Sequence, residues 1–404
     1  MPSIGGKNLQ VRRFSVQRVY ALELPPDTCS KSMFLAGPTP RDAAVLSWRK
    51  EALQVLEDAG YDGVVFIPEP RDGIWKNDNN AQIKWEELCL HRADCILFWI
   101  PRDLETLPGF TTNVEFGAWM DSGKIVFGAP VGAPKNSYLL HYACELKARI
   151  TTNLIDTIDA ALYTIGDGAE RTGGELEVPL YIWRTLHFQN WYESLVLAGN
   201  RLDGARVLWT FRVGPARSIV FFWVLHVDVY IASEDRHKTN EVVLARPDIS
   251  TIVMYRRQEP IEESDIVLIS EFRSPVSTPS GFVWEVPGGS SFKPGGDPRA
   301  LAAAECGEET GLALDASRLR WHQARQMVAT LSAHKAHLFS VEITDLELEA
   351  LRADTGNPHG VVEDTERTYV HVVKLRHILS DNIVDWSMLG MILSVLTKQT
   401  TTSH

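Results

Sequence analysis

The chain has 404 residues, which is enough for two domains with full hydrophobic cores. Its 52 acidic and 40 basic side chains give a formal net charge of −12. This balance argues against a general nucleic-acid partner, because phosphate contacts need surfaces rich in Lys and Arg. The five cysteines form no C-x-x-C pair and no zinc spacing, so we expect reduced thiols in a cytoplasmic protein.

Membrane partners are not expected from the sequence either. Residues 1–14 lack the apolar run of a signal peptide. The most apolar segment, residues 218–232, is too short to span a bilayer and contains His226 and Asp228. We predict that it is a buried strand.

The N-terminal third alternates strand and helix patterns. Residues 1–30, an N-terminal extension, contain only a possible strand at about 11–24. An apolar strand then ends in the turn Gly37-Pro38-Thr39-Pro40-Arg41, and a helical pattern follows over about 42–59. Because α/β proteins bind ligands at the carboxyl ends of parallel strands, Gly37 would let the backbone approach a ligand. The alternative is an ordinary strand-to-helix turn.

Further strands are predicted at 63–68, 93–101 and 124–128, with a helix at 81–91. Their near-continuous apolar runs are typical of strands buried on both faces of a parallel sheet. We therefore predict an α/β domain over residues 31–150, with a doubly wound parallel sheet of the Rossmann or flavodoxin-like kind.

Three motifs in this domain resemble the nucleoside 2-deoxyribosyltransferase-like family: FLAGPTPR at 34–41, QIKWEELCLHRADCILFWIP at 82–101 and TTNVEFGAWMDSGKIVFGAP at 111–130. In that family a Glu that opens the helix after the third strand is the nucleophile, and it corresponds to Glu115. The resemblance implies a small-molecule nucleoside or nucleotide substrate. It also implies substrate contacts by residues of the first and third motifs: Gly37, Pro38, Arg41 and Asn113.

The chemistry of a carboxylate suits this role. A glutamate can attack C1′ as the base departs, and water or a second base then resolves the glycosyl-enzyme. A helix N-terminus would keep Glu115 ionised, although a Glu there can also serve only to complement the helix dipole. Asp94 is a second candidate catalytic carboxylate. Its place at the start of a strand also suits a purely structural role, such as capping the preceding helix.

The composition changes after residue 150. Residues 151–177 combine a helical stretch at 153–164 with a Gly-rich run at 166–174, and we predict a linker there. Strand patterns then dominate a second domain over residues 178–397. They occur at 204–211, 218–232, 240–245, 250–255 and 265–273.

The stretch from Trp284 to Leu312, WEVPGGSSFKPGGDPRALAAAECGEETGL, resembles the Nudix box, G-x5-E-x7-R-E-U-x-E-E-x-G-U with U aliphatic. The tail of the box is intact at Glu305, Glu308, Glu309, Gly311 and Leu312. The loop Glu and the helix Arg of the box fall on Gly296 and Ala304. The resemblance implies a Nudix α/β/α sandwich with a mixed sheet, and Mg²⁺ bound by Glu305, Glu308 and Glu309. The acidic run alone would favour a solvated helix face, and it is the surrounding motif that favours a metal site.

Two flanking segments resemble the Nudix subtype that cleaves ADP-ribose and nucleoside-diphosphate sugars. They are residues 265–289 and 359–373. The resemblance assigns substrate contacts to Arg273 and Glu285 and a metal-ligand position to Glu366. It places Asp364 at the catalytic-base position, where the family has Glu. The alternative for the second segment is an acidic surface loop.

The sequence thus predicts a two-domain enzyme of nucleotide metabolism. The first domain would cleave or transfer an N-glycosidic bond. The second would bind a nucleoside diphosphate compound such as ADP-ribose with Mg²⁺, and it would hydrolyse that compound if the altered Nudix box is still active. One alternative is an NAD glycohydrolase coupled to ADP-ribose binding or hydrolysis, and another is a non-catalytic nucleotide-sensing regulator. A homodimer is compatible with both families, which often dimerise.

Overall fold

The computed structural model describes residues 15–40, 44–75, 78–290, 295–360 and 366–397. Their contacts divide the chain into two compact units. The first unit comprises Met1–Thr185, Tyr192–Val220 and Val224–Val242, and the second comprises Leu186–Trp191, Phe221–Trp223 and Val243–His404. Of the helices described, none is long and apolar enough to cross a membrane.

The first fourteen elements belong to the first unit. They are β1 (Gln17–Tyr20), β2 (Thr28–Cys29), β3 (Ser32–Ala36), α1 (Arg49–Asp58), β4 (Val64–Ile67), α2 (Asn79–Arg92), β5 (Cys95–Trp99), α3 (Phe110–Trp119), β6 (Ile125–Gly128), α4 (Ser137–Glu145), β7 (Arg149–Thr151), α5 (Leu154–Ile165), β8 (Arg171–Thr172) and α6 (Leu180–Trp183). Strands β2 and β8 form a separate two-stranded sheet.

The main sheet of this unit has six strands in the order β1-β4-β3-β5-β6-β7, and all neighbouring pairs are parallel. Successive residues of its strands face opposite layers. Met33 and Leu35 pack with α1 and α5, whereas Phe34 and Ala36 pack with α2, α3 and α4. The predicted parallel sheet with helices on both faces is confirmed. Because β3 lies between β4 and β5, the carboxyl ends of β3 and β5 form the switch point at which such sheets bind ligands.

Two segments outside the predicted first domain also belong to this unit. Strand β1, from the predicted extension, pairs with β4 at the edge of the sheet. Helix α5, from the predicted linker, buries Ile158, Ala161 and Ile165 against the sheet. The Gly-rich run begins only at residue 166, after α5 ends. The first part of the predicted linker is therefore a core helix, because its apolar face packs against the sheet. The boundaries of the two functional domains, at 31–150 and 178–397, remain a prediction.

Four elements follow: α7 (Leu186–Leu197), β9 (Arg201–Val213), β10 (Ile219–Ile231) and β11 (Arg236–Ala245). The strands form a three-stranded sheet in the order β11-β10-β9. The apolar segment at 218–232 is therefore a strand, as predicted, but it is only partly buried, with Val220, Trp223, Leu225 and Val227 as its buried residues.

The remaining elements belong to the second unit. They are β12 (Ile249–Arg256), β13 (Asp265–Phe272), β14 (Phe282–Glu285), β15 (Gly288–Gly289), α8 (Pro298–Thr310), β16 (Arg320–Gln326), β17 (Lys335–Glu342), α9 (Asp345–Ala353), β18 (Pro358–His359), β19 (Thr368–Lys374), α10 (Leu375–Ser380) and α11 (Trp386–Thr397).

The sheet of the second unit has eight strands and is mixed. Its main order is β16-β17-β12-β13-β19-β18, with β14 paired to β13 and β15 to β12. The β12–β17 pair is parallel, and β13 is antiparallel to β12, β14 and β19. Ile252 and Met254 face α8 and α9, whereas Val253 and Tyr255 face α10 and α11. The predicted mixed sheet is confirmed, and it lies between two helical layers.

Candidate functional site

The turn after β3 approaches the end of β5 very closely. Gly37 has a φ of 151°, and a Cβ at this position would lie 2.2 Å from the carbonyl oxygen of Trp99. Only glycine fits there without displacing β5. Pro38 is buried, and its Cβ lies 3.2 Å from the point that a Cβ on Gly109 would occupy. Gly37 and Pro38 therefore lie at the switch point, beside the start of α3.

Arg49 holds this turn in place. Its guanidinium donates hydrogen bonds to the carbonyl oxygens of Leu35 (3.0 Å) and Gly37 (2.8 Å) and to Oε1 of Glu69 (2.6 Å). The side chain is only 1% exposed. Neither Arg49 nor Glu69 was among the site residues predicted from the sequence. The available signal was that Glu69 directly follows a strand of the parallel sheet, at the edge where ligands bind.

Glu115 lies in the second turn of α3, because the helix begins at Phe110. The next residue, Phe116, anchors the helix by edge-to-face contacts with Phe98 and Phe127, at ring-centroid distances of 5.3 and 5.8 Å. Burial, and then the nearby Glu86, raise the pKa of Glu115 to about 7 against an opposing effect of Arg49. The expectation that a helix N-terminus keeps Glu115 ionised is wrong, since the dipole acts mainly over the first turn and burial dominates here.

Glu86 on α2 is a site residue that the sequence analysis did not select. Its Oε1 accepts a hydrogen bond of 2.7 Å from Nε2 of Gln82. Burial also raises the pKa of Glu86, while Gln82 and Arg49 oppose the shift. Two partly buried carboxyl groups thus interact near one buried guanidinium, which is an arrangement that suits acid and base chemistry near neutral pH. The only sequence signal was the position of Glu86 inside the second family motif.

Asp94 lies at the opposite edge of the sheet, before β5. It accepts hydrogen bonds from the backbone N and the Oγ of Ser32, at 2.9 and 3.0 Å. It also forms a buried ion pair with Arg171, whose side chain is fully buried. The structure does not bring Asp94 together with Glu115. These contacts correspond to the structural role that the sequence left open for it.

The other two predicted contact residues of this unit have different outcomes. Asn113 is exposed on the first turn of α3, where its Oδ1 accepts a hydrogen bond of 2.5 Å from Nη2 of Arg102. Arg41 lies outside the described residues.

The second unit contains a carboxylate cluster. Ligand oxygens of Glu271 on β13, Glu309 on α8 and Glu366 before β19 all lie within 4.8 Å of one another. Glu309 is 2% exposed and accepts a hydrogen bond of 2.8 Å from the backbone N of Gly288. Burial, followed by the charges of neighbouring glutamates, raises its pKa to about 9. Glu309 and Glu366 were predicted, whereas Glu271, a strand residue distant in sequence, was not.

The other two glutamates of α8 differ in position. The carboxylate of Glu305 lies against Gly289, about 2.5 Å from the point that a Cβ there would occupy. Burial, with Glu308 and Glu366, raises the pKa of Glu305 to about 7. Glu308 is exposed and is not a member of the three-carboxylate cluster.

Arg273 lies beside the cluster. Its Nη2 is 2.8 Å from Oε2 of Glu271 and 3.0 Å from Oε2 of Glu285. Asp364 falls outside the part of the chain that the structure describes. The cluster offers only oxygen ligands, and burial, followed by close like charges, raises the pKa of Glu309. This donor set fits a hard divalent cation such as Mg²⁺, which would offset the mutual repulsion.

Comparison with known proteins identifies part of the chain. Residues 30–133 match the family model described as nucleoside 2-deoxyribosyltransferase like. The match covers about a quarter of the chain and includes Gly37, Asp94 and Glu115. No curated protein matches the chain. The matched region indicates an enzyme of nucleotide metabolism.

Proposed function

We propose that the first unit cleaves or transfers the N-glycosidic bond of a nucleoside or nucleotide, with Glu115 as nucleophile. The observation that carries this proposal is the interaction of Glu115 with Glu86 and Arg49. Arg49 also donates a hydrogen bond to the carbonyl oxygen of Gly37 at the switch point, so this interaction links Glu115 to the ligand-binding edge of the sheet. A carboxyl group with a pKa of about 7 is divided between its ionised and protonated forms at neutral pH.

The two carboxyl groups have complementary roles in this mechanism. An oxygen of ionised Glu115 attacks C1′ and forms an ester, while the C1′–N bond breaks and its electron pair leaves with the base. The departing base nitrogen takes the proton that it needs from solvent water, because the charge of Glu86 that raises the pKa of Glu115 requires Glu86 to be ionised. Water then attacks C1′, the ester bond breaks to restore the Glu115 carboxylate, and Glu86 takes up the proton of the water. If a second base attacks in place of water, the result is transfer.

The test is release of free base from a panel of nucleosides, nucleotides and NAD, followed by chromatography. Glu115→Gln keeps the shape of the side chain and removes its nucleophilic charge, so we expect base release to fall below detection with an unchanged circular dichroism spectrum. Glu87→Gln, an exposed neighbour of Glu86, is the matched control and retains wild-type rates. Base release by Glu115→Gln near the wild-type rate would remove Glu115 from the mechanism.

We further propose that the second unit is a Nudix domain that binds Mg²⁺ and a nucleoside diphosphate compound such as ADP-ribose. The specific observation in favour is the cluster of Glu271, Glu309 and Glu366, with Glu305 nearby. A bound Mg²⁺ would polarise phosphoryl oxygens and neutralise the charge of the diphosphate. Glu309 and Glu366 would contribute ligands, and Arg273 would orient Glu271 and Glu285. Since Gly296 and Ala304 replace the supporting Glu and Arg of the box, we expect weak hydrolysis.

Two other functions remain distinguishable by experiment. An NAD glycohydrolase coupled to ADP-ribose binding would release free nicotinamide from NAD. A nucleotide-sensing regulator would bind a nucleotide tightly without Mg²⁺ and without turnover. The same substrate panel, run with and without Mg²⁺, separates these functions from the one proposed.

A further inference from the structure

The C-terminal end of α8 is bonded to the segment that contains Glu366. The carbonyl oxygen of Glu309 accepts a hydrogen bond of 2.9 Å from Oγ1 of Thr368. The carbonyl oxygen of Glu308 accepts one of 3.0 Å from the backbone N of Gly360. The last carbonyls of a helix have no partners within it, so they are free to bond to other parts of the chain. These two hydrogen bonds, the α8 attachment, join the helix to residues before and after Glu366.

The donors of the α8 attachment fix the backbone around Glu366. Thr368 follows Glu366 by two residues, at the start of β19, where it pairs with His359 of β18. Gly360 follows His359 and has a φ of 106°, and a Cβ on it would lie 2.7 Å from the carbonyl oxygen of Glu366. A larger residue there would displace Glu366. The position of Glu366 therefore depends on how this segment is held to α8.

The hydroxyl of Thr368 is not required for packing. Thr368 is fully buried, and the same face of β19 contributes Val370 and Val372 to the core that includes α8. Valine has nearly the same shape as threonine, so the apolar pattern of this strand would accept a valine at 368. The difference is one hydrogen-bond donor, and that donor is used on the carbonyl of Glu309.

The spacing of the carboxylates makes this bond important for a cation site. Ligand oxygens of Glu271, Glu309 and Glu366 lie within 4.8 Å of one another, and carboxylates this close repel each other. A divalent cation binds best where its ligands are already held near their final positions. Because Glu309 and Glu366 lie on segments distant in sequence, their separation depends on contacts between α8 and β19. The bond from Thr368 to Glu309 is a direct contact of this kind.

We propose that Thr368 is a positioning residue whose hydroxyl holds Glu366 against Glu309 and thereby sets the affinity of the cluster for a divalent cation. This inference rests on the proposed Mg²⁺ site of the second unit. Thr368 acts through the backbone of Glu309 and is not itself a ligand. Loss of its hydroxyl leaves a buried carbonyl oxygen without its donor and lets the two ligand segments separate. We therefore expect weaker metal binding in a protein that is still folded.

Calorimetry of the full chain with MgCl₂ and with MnCl₂ tests the proposal. Thr368→Val should weaken metal binding about tenfold, as expected for loss of a group that orients a ligand. Thr368→Ser keeps the donor and should restore most of the wild-type affinity. Base release by the first unit should be the same in all of these proteins, which checks that the variants are folded.

Thr310→Val is the matched control. Thr310 is also buried and follows Glu309, but its hydroxyl donates to the carbonyl oxygen of Cys306 within α8, at 2.5 Å. Its loss should lower the stability of the protein and leave metal affinity near the wild-type value. Equal losses of affinity in Thr310→Val and Thr368→Val, or wild-type affinity in Thr368→Val, would overturn the proposal.

A metal-free measurement separates this inference from the proposed metal site. The amide of Gly360 reports on the α8 attachment, because it donates to Glu308. Its hydrogen exchange should be faster in Thr368→Val than in wild type and unchanged in Thr310→Val. If wild type binds neither ion, the metal site is wrong, and equal exchange in wild type and Thr368→Val would then show that Thr368 holds nothing in place. Thr368→Ala replaces Thr368→Val if the valine variant does not fold.

The wild-type protein provides a further test that needs no variant. Coupling between two events is reciprocal, so if the α8 attachment strengthens metal binding, bound metal must also strengthen the attachment. Saturating Mg²⁺ should therefore slow hydrogen exchange at the amide of Gly360. Exchange that is unaffected by a bound ion would overturn the proposal.

Discussion

At the scale of single residues, the main finding is how burial changes the charge of the candidate nucleophile. Glu115 and Glu86 are each partly buried, and the interaction between them raises the pKa of Glu115 further. Arg49 acts in the opposite direction, but it is already bonded to Glu69 and to two backbone carbonyls. The protonation state of Glu115 therefore changes within the physiological range of pH.

A pH profile follows from this shift. Glu115 must be ionised to attack C1′, so kcat/KM should rise with pH up to and through about 7. Glu86→Gln removes a like charge and should move this rising limb to lower pH, whatever its effect on the maximal rate. The measurement is base release between pH 5 and pH 9 for both proteins. A wild-type profile that is flat above pH 5 would contradict the raised pKa.

The same shift has a consequence for stability with a definite sign. A carboxyl group whose pKa is raised by folding contributes most when it is protonated, and its contribution is lost as pH rises through the folded pKa. Glu115→Gln, which stays neutral, should therefore raise Tm relative to wild type more at pH 8 than at pH 5. Equal shifts in Tm at the two pH values would contradict this expectation.

At the scale of elements, the first site depends on the close approach of the β3 turn to β5. Gly37→Ala combines an unfavourable φ with a contact of 2.2 Å to a backbone oxygen, so it should destabilise the protein by roughly 1–3 kcal/mol and reduce base release. Gly60→Ala is the matched control, because Gly60 also has a positive φ, of 71°, but nothing lies within 4 Å of its added Cβ. Urea denaturation and base-release rates measure both. Equal effects of the two changes would show that the contact with β5 is unimportant.

Helix α8 provides a matched pair for the second site. Glu309 is buried within the carboxylate cluster, whereas Glu308, its neighbour, is exposed and outside it. Glu309→Gln should weaken Mg²⁺ or Mn²⁺ binding at least about tenfold, because a charged ligand is lost, and Glu308→Gln should have little effect. Calorimetry with the metal alone measures both. A loss confined to Glu308→Gln would place the metal on the solvated face of the helix.

At the scale of the whole molecule, each unit contains its own candidate site. The carboxylate cluster belongs to the second unit, and the only such cluster found among the described residues lies there. Base release by the first unit should therefore persist in a chelator, while hydrolysis of ADP-ribose should require Mg²⁺. Both activities are measured on the full chain with and without the chelator. Equal sensitivity of the two would contradict the assignment of metal chemistry to the second unit.

The sequence by itself determined the features that depend on neighbouring residues. Continuous apolar runs such as residues 95–99 specified buried parallel strands, and the Gly-Pro turn at 37–38 marked the end of β3. The family motif selected Glu115, and the run from Glu305 to Glu309 marked an acidic helix. Each of these signals is local, because it depends on propensity, hydrophobic pattern or spacing along one element.

Only the tertiary structure decided which charges meet. Glu86 and Glu115 lie on different helices, and Glu271 and Glu309 lie on a strand and a helix. Arg102 is separated from Asn113 by a loop. Their distances depend on the order of the strands and the packing of helices on the sheet, which no local pattern encodes. The pKa of Glu115 was predicted wrongly for the same reason, since burial is a property of the packed core and outweighs the helix dipole.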